Sequence, residues 1–486
     1  MNISRRKMLA GGFGAAAYMS LRGAKAAGLM KKGRNLRIGI MSDIHITDEK
    51  SAERVEKAFS YLKDQKVDGV LISGDLIDGG VREQLEIVAK TWFKVFPGNR
   101  GKDGEIVEKL FVYGNHDIGG HKYSYPPIKT KTKEWIEENA LSVGDNRKKV
   151  WEELFKENWE PIWKKTVKGY TFVGGSWSRG PKHVDGAPKW LRDHAAELKG
   201  EKPFFYIQHP HPKGTIPHAW SGDDGTITEA LAEFPNAVAV TGHSHMALVD
   251  DRSIWQGAFT CINASSLRYT SNFGGRENSR EFGVEDPKTS QMFAIWAPDV
   301  APVMVMDVYD DAFVFHRQDI LSSLPIGEDW VFPWKAGTGH EMSYSERAQK
   351  QPRPQFGSTA RIKVSERQGL NRRKEKVEQV VVEFPNVRKM SGSPLRAYDY
   401  EVVCEIRDVD VVKPHVTKRV FSPKYYLPET KDSATVTCVF AKSELPQAKK
   451  INDGPFRKTI AWRFAVRPCS CFGVKGEPLA TSWFEA

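Results

Sequence analysis

The chain has 486 residues, too many for one hydrophobic core, and this length predicts two or more domains. Apolar residues make up 40% and charged residues 27% of the chain, which is ordinary for a folded protein in water. The formal net charge is +11, but no Lys- and Arg-rich run contains interleaved aromatic residues. Nucleic acid is therefore not expected as the main partner.

The N-terminal residues have the pattern of an export signal. Ser4-Arg5-Arg6-Lys7 precedes a Gly- and Ala-rich apolar stretch over residues 10–21, and Ala24-Lys25-Ala26 has the form of an A-x-A cleavage site. We expect a signal peptide over residues 1–26. Its paired arginines resemble a twin-arginine signal, with a general secretion signal as the alternative. No later stretch reaches the roughly 18 apolar residues of a membrane helix, so we expect a periplasmic or extracellular protein without a membrane anchor.

Strand and helix patterns then alternate along residues 27–335. Near-continuous apolar runs at residues 36–42 and 67–73 predict buried strands, with an amphipathic helix between them. This alternation predicts an α/β domain with parallel connections. Residues 118–170 interrupt it, and we treat them as an insertion of unknown role. The tryptophans of the insertion either roof a substrate pocket or, more commonly for such residues, pack on the core.

The last part of the chain has a different pattern. Residues 336–355 are rich in turn-forming and polar residues and predict a linker. Short strand-like runs without a helical pattern over residues 356–486 predict a β-sandwich of immunoglobulin or fibronectin type. Such a domain could contact carbohydrate or another protein. Cys404 and Cys438 lie in strand-like runs and could form a disulfide, although buried free thiols are favoured.

Polar residues that can bind metal follow five of the predicted strands of the α/β domain. In α/β sheets ligands bind outside the carboxyl ends of the strands, so these side chains are expected at one site. Imidazole, carboxylate and amide oxygen together suit manganese, iron or zinc, and the set contains no thiolate. Seven ligands exceed the need of one ion and match two ions that share a carboxylate. The candidate ligands are Asp43, His45, Asp75, Asn115, His209, His243 and His245.

The motifs D-x-H, G-D-x-x-D, G-N-H-D, a later His and G-H-x-H, in this order, resemble the calcineurin-like metallophosphoesterase family. The resemblance covers residues 38–318 and implies a four-layer α/β/β/α sandwich with two mixed sheets. It also implies two metal ions, with Asp75 between them. The first ion would be held by Asp43, His45 and His245, and the second by Asn115, His209 and His243.

The same resemblance implies the chemistry. A metal-bridging hydroxide would attack a phosphate ester, with His116 as the acid and Asp117 orienting His116. We expect a phosphodiester of a small molecule as the substrate, although these motifs do not separate diesterases from monoesterases. The segment His209-Pro210-His211-Pro212 departs from the His-His-Pro-Pro pattern of many relatives. Since His209 directly ends its strand, we prefer it as the ligand and expect His211 to line the pocket. A phosphomonoesterase that scavenges phosphate is the alternative enzyme, and a non-catalytic carbohydrate- or protein-binding protein is the alternative of another class.

Overall fold

The structure of the protein is a computed structural model, and it divides into two compact units. It describes residues 33–122, 130–178, 184–217, 223–273, 276–277, 293–334, 342–371, 373–388, 395–408, 411–428, 435–447 and 461–485. The first unit contains the described residues up to 271 and those from 297 to 347; the second contains those between 272 and 296 and those from 348 onward. The predicted signal peptide, residues 1–26, lies outside the described residues.

The first unit alternates strands and helices along the chain. Its strands, with the β10–β11 pair that crosses into the second unit, are β1 Leu36–Met41, β2 Gly69–Ser73, β3 Glu108–Val112, β4 Ile162–Val167, β5 Tyr170–Gly175, β6 Phe204–Ile207, β7 Ala237–Thr241, β8 Ile254–Gln256, β9 Thr260–Asn263, β10 Thr270–Phe273, β11 Phe293–Ala297, β12 Pro302–Val308, β13 Ala312–Asp319, β14 Leu324–Pro325 and β15 Trp330–Pro333. Its helices of four residues or more are α1 Glu49–Asp64, α2 Arg82–Val95, α3 Asn115–Gly119, α4 Lys133–Asn139, α5 Asn146–Phe155, α6 Ala187–Asp193, α7 Ala195–Leu198, α8 Thr226–Ala232 and, at its end, α9 Tyr344–Lys350.

Two mixed sheets form the centre of this unit. The first has the order β14-β13-β12-β1-β2-β3, with β15 also paired to β13. In it β1, β2 and β3 run parallel and β12 runs antiparallel to β1. The second has the order β4-β5-β6-β7-β9-β8, in which the four central strands are parallel and both edge strands antiparallel. The predicted pair of mixed sheets is confirmed.

Each sheet is covered by helices on one face, which explains the continuous apolar runs. Val70 and Ile72 of β2 belong to the cluster that α1 and α2 complete, while Leu71 between them is buried on the other face. Against the second sheet, Leu191 of α6 and Leu231 of α8 form a separate cluster. Both faces of the central strands are therefore buried from solvent, as the apolar pattern predicted.

The insertion at residues 118–170 contributes to the core. Trp151 of α5 meets the rings of Phe111 and Tyr113 edge-on, with centroids 6.4 and 5.4 Å away. Trp159 lies 5.9 Å from Tyr113 and is almost fully buried. Of the two expected uses of these tryptophans, packing on the core is the one observed.

The second unit is an all-β region. Its strands are β16 Lys363–Leu370, β17 Lys376–Pro385, β18 Asp399–Asp408, β19 Val411–Phe421, β20 Thr435–Ala441, β21 Ala461–Cys469, β22 Leu479–Ala480 and β23 Phe484–Glu485. They form antiparallel sheets of order β16-β17-β20 and β19-β18-β21-β22, and β23 pairs with β21. Val382, Phe440 and Phe464 meet in its core. The immunoglobulin or fibronectin type stays a prediction.

The structure also describes features related to three further predictions from the sequence. The segment predicted as a linker, residues 336–355, contains α9, and Arg347 of this helix is buried and donates to the carbonyls of Asp251 and Ile254. All five cysteines are free thiols, including Cys404 and Cys438. Among the described residues no helix combines the length and apolar character needed to cross a membrane.

Candidate active site

The predicted metal ligands meet where strands of the two sheets end. Asp43 and His45 follow β1, Asp75 follows β2, and Asn115 begins α3 after β3. From the second sheet, His209 follows β6, and His243 and His245 follow β7. Ligand atoms of Asp43, His45 and His245 lie within 4.8 Å of one another, and so do those of Asp75, His209 and His243. The fold thus brings the seven residues to one place in two clusters plus Asn115.

The first cluster is compact and buried. His245 Nε2 lies 2.9 Å from Asp43 Oδ1 and 3.3 Å from His45 Nε2. Asp43 and His45 are at most 1% exposed. His45 Nε2 also lies 3.7 Å from Asp75 Oδ2, which connects this cluster with the second.

The second cluster shares Asp75 with the first. His209 Nε2 lies 3.1 Å from Asp75 Oδ2 and 3.2 Å from His243 Nδ1. The other oxygen of Asp75, Oδ1, accepts the backbone N–H of His116 at 2.8 Å. Asp75 therefore lies between the clusters, with one oxygen on histidine nitrogens of both and its other oxygen fixing the turn of Asn115.

Hydrogen bonds on the far side of three rings fix which nitrogen faces the site. His209 Nδ1 donates to Ser73 O at 2.8 Å, and His245 Nδ1 donates to Tyr269 O at 3.0 Å, since a carbonyl can only accept. His45 Nδ1 lies 3.0 Å from Asp78 Oδ1. In the neutral form of each ring, which is the form that binds a metal ion, the lone pair is on Nε2, the nitrogen that faces the cluster. Metal-binding histidines typically have such partners.

The ligand atoms of the two clusters fit metal ions. Within the described part of the chain, Asn115 Oδ1 is a buried acceptor without a hydrogen-bond donor. The nitrogens of His45 and His245, and those of His209 and His243, face each other at 3.2–3.3 Å. Two nitrogens each about 2.0–2.1 Å from one ion would have this separation. When both rings of a pair are neutral, their facing lone pairs would repel, so a shared cation is a favourable occupant.

The electrostatics of the clusters favour positive charge. Burial alone would lower the pKa of His45, but the neighbouring carboxylates of Asp43 and Asp78 outweigh it and raise the pKa to about 10. The pKa of His209 is raised to about 9 because the charges of Asp75 and Asp43 outweigh burial. Conversely, burial raises the pKa of Asp75, but the charges of His209 and His116 outweigh it and the net shift is downward. The acidic groups stay ionised and would attract cations.

The carboxylate beside the candidate acid is Asp78, which corrects the expectation for Asp117. His116 Nδ1 lies 3.3 Å from Asp78 Oδ1 and donates to Asp78 O at 3.0 Å. Both oxygens of Asp117 instead accept backbone N–H groups, those of Gly114 at 2.6 Å and Ile77 at 2.8 Å. Asp117 is fully buried, and burial together with the charge of Asp75 raises its pKa to about 7. It fixes two loops, while Asp78 orients the rings of His116 and His45.

His211 does not line an open pocket, contrary to the expectation. It is 1% exposed, and both ring nitrogens are bound, Nδ1 to Thr241 Oγ1 at 2.6 Å and Nε2 to Ser244 Oγ at 2.7 Å. Burial lowers its pKa to about 3, so the ring is neutral at ordinary pH. His211 holds the loop after β7 in place through Ser244, beside the ligands of that loop.

Most of the candidate ligands have a strained backbone conformation. A positive φ is uncommon outside glycine and costs free energy, although Asp and His adopt it more readily than most residues. The surrounding loops hold the ligands in this conformation, and such outliers are typical of functional sites. Five of the seven candidate ligands have φ between 44° and 70°, namely Asp43, His45, Asp75, His243 and His245.

The glycines of the motifs leave room for ligands from other strands. A Cβ on Gly74 would lie 2.5 Å from His209 Nδ1, and Gly74 also has φ of 100°. A Cβ on Gly114 would collide with Asp75, and one on Gly242 with Asp43 and Ser42. The glycine of each motif is therefore needed because residues at a neighbouring strand end leave no room for a Cβ. The local sequence does not reveal this constraint.

Three residues at the site were missed by sequence reasoning. Asp78 is the second aspartate of the G-D-x-x-D motif, so a signal for it was present. The Tyr269 ring lies 4.2 Å from His245 and 5.9 Å from His45. The Trp177 ring lies 6.0 Å from His209 and 5.8 Å from His243. Both aromatic residues lie outside the motifs, and only the fold brings them to the ligands.

Comparison with protein families agrees with this geometry. Residues 36–247 match the sequence model of the family described as calcineurin-like phosphoesterase. Over this stretch the chain is similar to a calcineurin-like phosphoesterase domain. The protein is a metal-dependent phosphoesterase, and the buried Asp and His clusters supply candidate ligands for the two metal ions used in this family.

Solved structures show weaker similarity. A dimetal phosphatase from Danio rerio is 12% identical, with a TM-score of 0.36 over 62% of this chain and 100% of that chain. GAP50, the anchor in the inner membrane complex of Plasmodium, is 11% identical, with a TM-score of 0.37 over 63% and 90%. Vps29 complexed with zinc, from Entamoeba histolytica, is 11% identical, with a TM-score of 0.26 over 62% and 100%. No curated protein matches the chain in sequence.

Proposed function

We propose that this phosphoesterase hydrolyses phosphodiester bonds of small molecules and that it acts outside the cytoplasm. The observation that carries the catalytic part is the arrangement of the seven candidate ligands around Asp75. His45 and His209 approach the same oxygen of this buried carboxylate from the two clusters. This arrangement supports two metal ions that share Asp75.

The first cluster would hold one ion through Asp43, His45 and His245, and the second cluster would hold the other through Asn115, His209 and His243. Two such ions supply Lewis acidity, a lowered pKa of bound water and neutralisation of phosphate charge. The protein itself supplies rigid placement of the ligand atoms. Hydrogen bonds from His209 to Ser73 and from His245 to Tyr269 keep the rings turned to the site.

His116 is the proposed proton donor to the leaving alcohol. Its Nδ1–H donates to Asp78 O, so Nε2 is the atom that can exchange a proton with the substrate. The backbone N–H of His116 is held by Asp75, which fixes the ring relative to the clusters. A positioned acid of this kind typically contributes about 10²–10⁴-fold to the rate.

A substrate panel tests the proposal. The protein loaded with Mn²⁺, Fe²⁺ or Zn²⁺ is expected to contain about two ions per chain and to hydrolyse bis(p-nitrophenyl) phosphate faster than p-nitrophenyl phosphate. Cyclic nucleotides are the natural diesters to add to the panel. Preference for the monoester would favour the phosphatase alternative. A chain that binds no ion and hydrolyses nothing would favour a binding protein.

The proposal of export rests on the sequence of residues 1–26. Replacement of Arg5 and Arg6 by lysine should retain the precursor in the cytoplasm, because the twin-arginine route requires the arginine pair. Immunoblots of cell fractions measure this. Unchanged export of the double variant would indicate a general secretion signal.

A further inference from the structure

We propose that Trp177 is a specificity-determining residue that favours phosphate esters carrying a planar aromatic group, such as an aryl alcohol or a nucleoside. The inference rests on the phosphoesterase function proposed above and names the class of substrate. Trp177 follows β5 on the second sheet and belongs to none of the ligand motifs.

The indole borders the second cluster. Its centroid lies 6.0 Å from the His209 ring at an interplanar angle of 69°, and 5.8 Å from the His243 ring at 42°. The indole meets the first imidazole edge-on and the second at a tilt, so neither ring is stacked parallel to it. A phosphate ester bound beside this cluster would therefore have its substituent close to the indole.

The backbone holds Trp177 firmly. Its N–H donates to Tyr113 O at 2.8 Å, and Tyr113 N–H donates in turn to Ser176 Oγ at 3.2 Å. Tyr113 directly precedes Gly114 and Asn115. The backbone of Trp177 is therefore tied to the strand end that carries a ligand and the proposed acid, and packing of its side chain on the core cluster limits the ordering needed on binding.

The side chain is half-buried, which suits a binding surface. One part of the indole packs against the core cluster of the first sheet, and the remainder reaches solvent. Trp151 and Trp159 are not candidates for this role, because they are 4% and 7% exposed and lie in the core. Stacking of a base or aryl ring on such a side chain is worth about 5- to 150-fold in affinity.

Binding of two phosphonates tests the inference without turnover. Phenylphosphonate and cyclohexylphosphonate carry the same charge and rings of similar size, but only the first ring is planar and aromatic. Calorimetry on the Mn²⁺-loaded full chain should give phenylphosphonate an advantage of about fivefold or more. The variant Trp177→Leu should bind both equally well, and Trp177→Phe should keep part of the preference.

Trp190→Leu is the matched control. Trp190 is another half-buried tryptophan of this unit, stacked on His194 at 3.8 Å in the helical layer, and its loss should leave the preference unchanged. Equal binding of the two phosphonates by the native protein, or a preference that survives in Trp177→Leu, would overturn the role of Trp177. Hydrolysis of bis(p-nitrophenyl) phosphate by the same preparations tests the proposed function separately. An active enzyme without aromatic preference refutes only the inference, and an inactive protein with that preference refutes only the function.

Discussion

At the scale of single residues, Asp75 has the most connections in the site. It receives the His116 N–H on one oxygen and faces His45 and His209 with the other. Because a buried carboxylate in this position can attract both cations, loss of its charge should weaken both metal sites.

Asp75→Asn should therefore lose both metal ions and the hydrolytic activity while the chain stays folded. Elemental analysis and the rate with bis(p-nitrophenyl) phosphate measure the two effects. Asp64→Asn is the control, since Asp64 is exposed on α1 and pairs with the exposed Lys102. A fully active Asp75→Asn would refute its position between the two ions.

Variants of Asp78 and Asp117 distinguish the orientation of His116 from the stability of the neighbouring loops. Asp78→Asn should lower kcat about 10- to 100-fold, because it weakens the support of His116 and His45. Asp117→Asn should instead lower the free energy of unfolding by about 1–3 kcal/mol, because an amide cannot accept both the Gly114 and Ile77 N–H groups.

Urea unfolding and steady-state kinetics on both variants measure this contrast. If Asp117→Asn keeps its stability but loses kcat, Asp117 orients His116 after all.

At the scale of elements, the site is made by the ends of strands from two sheets. The loop after β2 and the turn at the start of α3 approach each other so closely that only glycine fits at position 114. Its φ of −102° is allowed for any residue, so the restriction is steric.

Gly114→Ala should displace Asp75 and lower both the metal content and the hydrolytic rate, the latter by more than about tenfold. Gly200→Ala is the matched control, because a Cβ there would meet no atom within 4 Å. Metal analysis and kinetics of the two variants provide the measurement. Native metal content in Gly114→Ala would show that the loops can move apart at little cost.

At the scale of the whole molecule, the C-terminal unit includes a piece of chain from between β10 and β11. Arg276 of this piece pairs with Asp399 at 2.8 Å, and Arg419 of β19 pairs with the other oxygen at 2.7 Å. Glu277 N–H donates to Arg419 O at 2.7 Å. Asp399 is fully buried, so two guanidinium groups depend on one carboxylate.

Asp399→Ala should lower the free energy of unfolding of this unit by about 2 kcal/mol, less than for a fully buried pair because both arginines keep contact with water. Calorimetric unfolding of the full chain measures it. Glu378→Gln removes an exposed carboxylate of the same unit and should have little effect. An unchanged transition in Asp399→Ala would mean that the arginines find other partners.

The sequence by itself determined the α/β architecture, the all-β C-terminal region and the seven candidate ligands, because apolar periodicity and polar residues at strand ends are local signals. The tertiary structure decided the remainder. It placed Asp78 rather than Asp117 beside His116, bound both nitrogens of His211 internally, and brought Trp177 to the second cluster. These outcomes depend on distances between the ends of strands in different sheets, and such distances are set by packing that no local pattern records.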